Sequence, residues 1–197
     1  MELEYLQTTE PTSTHKLSPI GKALIYTTGG LAVGVSIICI PFVSPAFRKI
    51  CLPYVPATTD QILGVTKALA GRSGRLLDVG SGDGRIVITA AKLGFKAEGV
   101  ELNRWLVYYA RIASLLDNQC RGSKFYRKDL WKFDMKPYEN IVIFGVEQMM
   151  KQFEKKLLEE ANPGTVVVAC RFPLPNMVPV ETHGHGVDTV WKYVVNR

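Results

Sequence analysis

The stretch Leu77-Asp-Val-Gly-Ser-Gly-Asp-Gly-Arg85 decides how this chain folds. It follows a short apolar run, RLLDV, and opens a helical pattern, GRIVITAAKL. A glycine-rich loop between strand and helix is where doubly wound sheets bind ligands, at the carboxyl ends of the strands. Glycines let the backbone turn tightly and approach a ligand closely. Read as G-x-G-x-x-G, Gly80 and Gly82 fit, but the third position is Arg85. The close helix–strand packing of the dinucleotide fingerprint is therefore not met. The loop is also not the G-x-x-x-x-G-K-[ST] phosphate loop. Two acids flank it instead, Asp78 before and Asp83 within. They would repel a pyrophosphate and attract a ligand carrying an ammonium and a sulfonium.

The pattern Asp78-x-Gly80-x-Gly82-x-Gly84, with Ser81 and Asp83 between the glycines, resembles the first motif of class I S-adenosyl-L-methionine-dependent methyltransferases. Two downstream acids fit that resemblance. Glu101 closes the second strand, seventeen residues past Gly84. A carboxylate there can accept both ribose hydroxyls of the adenosine. Asp129 closes the third strand, where an acid can accept from the adenine amino group, with Leu130 against the ring face. The bland alternative for each acid is a turn former or a solvated strand end.

Outward from the loop, apolar runs and helical patterns alternate. KAEGVEL, SKFYRKDL, NIVIFGV, TVVVACRF and DTVWKYVV read as strands. QILGVTKALA, RWLVYYARIASLL and EQMMKQFEKKLLEE read as helices. Thr58-Thr-Asp-Gln61 has the form of a capping box before the first of them. Strand and helix in this order imply a Rossmann-like α/β fold, a parallel sheet covered on both faces. DTVWKYVV is the sixth strand, and the antiparallel seventh of the class I sheet is expected to be missing. An open sheet edge would result, which costs stability and invites aggregation.

The amino-terminal part is different. Ala23 to Val43, ALIYTTGGLAVGVSIICIPFV, is 21 residues without a charge. As a helix it would reach about 30 Å, the thickness of a hydrocarbon core. Lys22 closes one end, Arg48 and Lys49 the other, and no polar face recurs at helical spacing. The expectation is a single transmembrane helix; the alternatives are a buried helix or a signal peptide. The expected partition is a leader at 1–22, an anchor at 23–47, a Pro-rich linker at 48–57 and a catalytic domain at 58–197.

The chain has 197 residues, is 47% hydrophobic and 21% charged, and has a mean hydropathy of +0.06. That excludes a disordered chain and a two-domain enzyme of ordinary size. Residues 1–57 carry four bases against three acids; the remainder carries 20 against 15. The basic part suits an acidic partner or an anionic membrane surface. With no run of five like charges, nucleic acid is not expected as a partner. Cys39, Cys51, Cys120 and Cys170 are scattered, without C-x-x-C or metal-ligand spacing, and read as free thiols. His183 and His185 sit in a Gly-rich loop, and no metal is expected.

From Pro41 to Tyr193 the chain resembles a family of mitochondrial protein-lysine methyltransferases with one N-terminal span. The segments carrying this are PFVSPAFRKICLPYVP, LLDVGSGDGRIVITAAK, GVELNRWLV, RKDLWKF, VIFGVEQMM, ACRFPLP and GVDTVWKY. One member of the family modifies the ATP synthase c subunit, and a paralogue modifies the adenine nucleotide translocase. FGVEQMM and CLPYVPATT lean to the former. The resemblance implies S-adenosyl-L-methionine as cofactor and a membrane-embedded protein substrate, the ATP synthase c subunit. It also implies a mitochondrial inner-membrane location with the catalytic domain in the matrix. Arg104 stands where the family has Pro, and His185 where it has an acid. The family also continues past the final Trp-x-Tyr strand.

Methyl transfer to lysine needs a neutral amine held in line, which an apolar pocket supplies by desolvation, so no triad is expected. The Asn/Asp-Pro-Pro-Tyr signature of base methylation is absent after the fourth strand, where Phe144-Gly-Val-Glu147 stands. Acceptor-side candidates are Tyr54, Thr58 and Thr59, then Arg171, Phe172 and Pro173, then Asp188 and Trp191. For Phe172 and Trp191 plain packing is an equal reading. The contrasting functions are a catalytically silent, membrane-anchored assembly factor that binds the cofactor, and a small-molecule methyltransferase.

Overall fold

A computed structural model describes residues 18–43, 55–120 and 122–196. The first part of the leader, most of the Pro-rich linker, Cys51 and Tyr54 lie outside the described residues. The chain divides into two units, Met1–Cys51 and Leu52–Arg197.

In the first unit helix α1 spans Pro19–Val43. It begins four residues before the apolar stretch because Ser18 caps it, accepting from Gly21 N at 3.1 Å, with Pro19 in the first turn. Thr27 and Thr28 donate their hydroxyls to the carbonyls of Ala23 and Leu24, at 2.9 and 2.7 Å. The two polar side chains are thus satisfied inside the apolar run. Pro19–Ile37 is long and apolar enough to cross a membrane, and none of its most apolar window is buried in the protein.

In the second unit helix α2 (Thr59–Ala68) has the capping box its sequence implies: Thr58 Oγ1 accepts from Gln61 N, and Gln61 Oε1 accepts from Thr58 N. The following elements are β1 (Arg75–Val79), α3 (Arg85–Lys92), β2 (Lys96–Glu101), α4 (Arg104–Leu116) and β3 (Lys124–Arg127). Then come β4 (Asn140–Phe144), α5 (Glu147–Glu160), β5 (Val166–Cys170), β6 (Glu181–His183) and β7 (Val190–Val194). The sheet order is β3-β2-β1-β4-β5-β7-β6. β1 to β5 are parallel, and β7 runs antiparallel between β5 and β6. Strand order reverses at β1 and β4, so the glycine-rich loop lies at the switch point.

The expectation of a missing last strand is corrected. Val190–Val194, read as the sixth strand, is the seventh, and the sixth is Glu181–His183. Three polar residues, mostly exposed, carry no alternation for a sequence reading to detect. The connection from β5 to β6, residues 171–180, also lacks the helix that usually announces a crossover. It is held by side chains instead. Tyr193 Oη accepts from Leu174 N at 2.9 Å, and the buried Glu154 carboxylate of α5 accepts from Asn176 N and Nδ2. Glu154→Ala should lower the unfolding free energy in urea by about 2–3 kcal/mol, the usual worth of hydrogen bonds to a charged group. It should also make residues 171–180 the first protease site; unaltered digestion would disprove the clasp.

Period-two alternation sends Leu76 and Val142 to one core and Leu77, Val79, Ile141 and Ile143 to the other. α2, α3 and α4 cover the first face, and α5 the second.

Candidate active site

The carboxyl ends of β1, β2, β3 and β5 bring the candidate residues to one edge. Asp78 lies within β1, across from Gly99 of β2. It is fully buried, and neither carboxylate oxygen has a hydrogen-bond partner. Burial first, then the charges of Glu101 and Asp83, push its carboxyl up to about 8. Ser81 Oγ is likewise buried without a partner. The loop is anchored by its backbone: Gly80 N and Ser81 N both donate to Val100 O, at 2.9 and 3.1 Å. Gly80, Gly82 and Gly84 all have positive φ.

Gly84 is the position where glycine is required. With φ +84° it starts α3, and a Cβ there would meet the Phe125 ring at 2.7 Å and Ala110 Cβ at 2.8 Å. Gly84→Ala is expected to cost about 2–4 kcal/mol from strain and overpacking together. A melting temperature within a degree or two of the parent would refute that close approach.

Glu101 ends β2. Its Oε2 accepts from Gly82 N at 3.2 Å and its Oε1 from Asn103 N at 2.7 Å. One carboxylate thus clasps the glycine loop to the start of α4. Asp129 sits two residues beyond β3, not on its last residue. It caps the turn Leu130–Lys132, accepting from Trp131 N at 3.1 Å. Leu130 follows it, partly buried against the second core. Asp83 faces Arg85, whose Nε and Nη2 donate to its two oxygens at 3.0 and 2.6 Å. Arg85 also donates to Ala57 O at 2.6 Å, tying the loop to the segment before α2. The residue that breaks the dinucleotide pattern is therefore a structural bracket, a role its sequence position alone does not reveal.

On the acceptor side, Thr58 Oγ1 donates to Asp188 Oδ1 at 2.6 Å and Gln61 Nε2 to Val187 O at 2.7 Å. α2 and the turn before β7 therefore close on each other. Thr59 is exposed beside them. Arg171 follows β5 with φ +73°, unusual for a side chain with a Cβ, and donates its N–H to Thr189 O at 3.0 Å. Its guanidinium lies 5.9 Å from the Phe172 ring centre. Phe172 and Trp191 are half-buried against the second core, and Pro173 is exposed. The strained Arg171 is a feature no sequence pattern announces.

The residues present fit the expected cofactor. An orphaned buried carboxylate and hydroxyl call for a ligand that brings donors and positive charge. Glycines at 80, 82 and 84 leave the loop's backbone without side chains of its own at those positions, and Glu101 stands three residues before the first of α4. Among the described residues no group of three His, Cys, Asp or Glu is placed to hold a metal.

Two family models match the chain: the ANTKMT methyltransferase domain over residues 78–181, and the ATP synthase c-subunit lysine N-methyltransferase N-terminal domain over 15–48. The chain is 50% identical over 191 residues to the ATP synthase c-subunit lysine N-methyltransferase of Xenopus laevis, covering 97% of this chain and 84% of the relative. It is 38% identical over 178 residues to the adenine nucleotide translocase lysine N-methyltransferase of Mus musculus, covering 88% and 78%. Among solved structures it is similar to an RNA methyltransferase from Salinibacter ruber in complex with S-adenosyl-L-homocysteine. There the TM-score is 0.65 and the identity 28%, over 73% of this chain and 95% of that one.

Proposed function

Because this chain belongs to the family of S-adenosylmethionine-dependent protein-lysine N-methyltransferases whose members include the ATP synthase c-subunit and adenine nucleotide translocase enzymes, we propose that it methylates a lysine of the ATP synthase c subunit. The observation that carries the choice of substrate is the match of residues 15–48, outside the catalytic domain, to the N-terminal domain named for the c-subunit enzyme. In this reading α1 is a single span of the mitochondrial inner membrane and the catalytic domain works in the matrix. Tethering to the membrane of a membrane-embedded substrate raises the effective concentration of one for the other.

When bound, S-adenosylmethionine supplies a sulfonium methyl and leaves as a neutral thioether. Asp78 and Ser81 hold the amino-acid part of the cofactor, Glu101 its ribose hydroxyls, and Asp129 with Leu130 its adenine. The lip formed by Thr59, Arg171, Phe172, Asp188 and Trp191 admits the lysine. Its apolar members, Phe172 and Trp191, disfavour an ammonium by desolvation, while the charges of Arg171 and Asp188 oppose each other, so the amine enters neutral with a lone pair free for in-line attack. The proton that the methylated amine later loses goes to water, and no dedicated base is required.

The test is methyl transfer from labelled cofactor to mitochondrial membranes, with mass spectrometry to locate the label. At a cofactor concentration below the parent's KM, the parent chain should label the c subunit, and Asp78→Ala and Glu101→Ala should label it on the order of a hundredfold more slowly. Equal labelling by all three would remove the site assignment; labelling of the translocase instead would move the substrate to the paralogue's. RNA belongs in the same assay, since the Salinibacter ruber structure is named for it. The absence of Asn/Asp-Pro-Pro-Tyr after β4 weighs against that substrate. The silent assembly factor draws its support from a missing strand, and β7 fills that place.

A further inference from the structure

Helix α4 faces the wrong way for a soluble protein. The side it packs on the sheet is made of Val107, Ala110 and Ser114, all small and buried. The opposite side carries Tyr108, Tyr109, Ile112, Leu115 and Leu116, between 54% and 82% exposed. These follow i, i+1, i+4, i+7, i+8 spacing, one continuous stripe along the helix. Trp105 extends it toward the cofactor edge, with the Arg104 guanidinium 5.3 Å from its ring centre. A contiguous apolar face of this kind marks an interaction surface.

Charge says what it meets. The helix has no acidic residue, and its charges are Arg104 and Arg111. Beside it β3, the edge strand, presents exposed Lys124 and Arg127, followed by exposed Lys128. Tyrosine, tryptophan and aliphatic side chains on one face, rimmed by bases, are the composition of a helix lying in a lipid interface beside anionic headgroups. The tether also keeps the catalytic unit within reach of a bilayer that α1 would span. Only 11 residues separate Val43 from Val55, a reach of roughly 40 Å at full extension. We infer that the α4 face docks on an anionic lipid surface as a second, interfacial membrane contact of the catalytic domain. This rests on the reading of α1 as a span. Since Asn103 caps α4 and also bonds Glu101, docking would seat the cofactor edge near the bilayer, where a membrane-embedded lysine is.

The experiment places a probe mid-stripe. Full-length Tyr109→Trp is reconstituted in vesicles of phosphatidylcholine and phosphatidylglycerol with brominated acyl chains, and its tryptophan quenching is compared with the parent's. The added tryptophan should be quenched by more than half. The quenching should fall severalfold in pure phosphatidylcholine, because each base near an anionic surface contributes to binding. Adding Ile112→Glu and Leu116→Glu should abolish it while flotation with vesicles is unchanged, since α1 is intact. Flotation without quenching would overturn the docking and leave the span standing. Quenching by excess anionic vesicles without stable flotation would do the reverse. Shielding that appears only when ATP synthase membranes are added would overturn lipid in favour of a protein partner. Shielding in detergent that depends on chain concentration would overturn it in favour of a second copy.

Discussion

Asp78→Asn is expected to weaken binding of S-adenosylhomocysteine at least about a hundredfold, and to make the protein more stable. Both effects have one cause. The carboxylate is buried and unpartnered in the chain itself. Hydrogen bonds to a charged group are worth about 1.5–3 kcal/mol each, so losing the ionised acceptor costs about 3 kcal/mol of affinity. Without ligand, the same charge is a burden. Its carboxyl is pushed up to about 8, by burial first and then by Glu101 and Asp83. Between the ordinary carboxylate value near 4 and about 8, the folded chain keeps a proton that the unfolded chain has lost. Folding stability therefore falls as pH rises through that window, by up to roughly 5 kcal/mol above it. Asn removes the titration but remains a buried amide, so a net gain of about 2 kcal/mol, or roughly 4–8 °C, is expected at pH 8. Cofactor affinity should run the other way, rising up to about tenfold per pH unit from 6 toward 8 in the parent and staying flat in the variant. Calorimetry and thermal melts across that range test both. A flat profile in the parent would falsify the assignment of the ionised carboxylate to the ligand.

Glu101→Ala should lower kcat/KM for the cofactor about a hundredfold, through KM more than kcat. The residue ends β2 and clasps Gly82 N and Asn103 N with one oxygen each. With Glu101 in the proposed role at the ribose, removing it deletes the acceptors for two hydroxyls and also frees the loop, about 3 kcal/mol together. The ribose is remote from the reacting methyl, so ground state and transition state lose equally. Glu101→Gln retains one acceptor and should cost roughly tenfold. A fall in kcat alone, with the cofactor KM unchanged, would mean that Glu101 acts on the chemical step and not on binding.

The part of the site legible in the sequence is the part the backbone dictates. Asp78, the glycines and Glu101 lie where a strand must end and a helix begin, and such boundaries are written in local residue types. Asp129 is harder to place, because no glycine or proline between Arg127 and Leu130 marks where the strand stops, and β3 ends at Arg127. β6 leaves no local trace, since its pairing comes from β7 and from the hydrogen bonds that hold the preceding crossover. The bend at Arg171 is likewise set by tertiary contacts, among them its N–H donation to Thr189 O. The sequence of α4 shows a stripe but not its direction. Small residues fit the tight contact with β2 and β3, so the larger apolar ones are turned outward.

The placing of β7 between β5 and β6 has a consequence for biosynthesis. A nascent chain can pair β1 to β5 as they emerge, because each meets a neighbour already made. The free side of β5 must then wait for Val190–Val194, roughly 20 residues later and about 1–4 s at ordinary rates of synthesis. For that interval an all-apolar strand, VVVAC, stands open on one side. A chaperone acting on the chain before β7 pairs would find an open strand edge there.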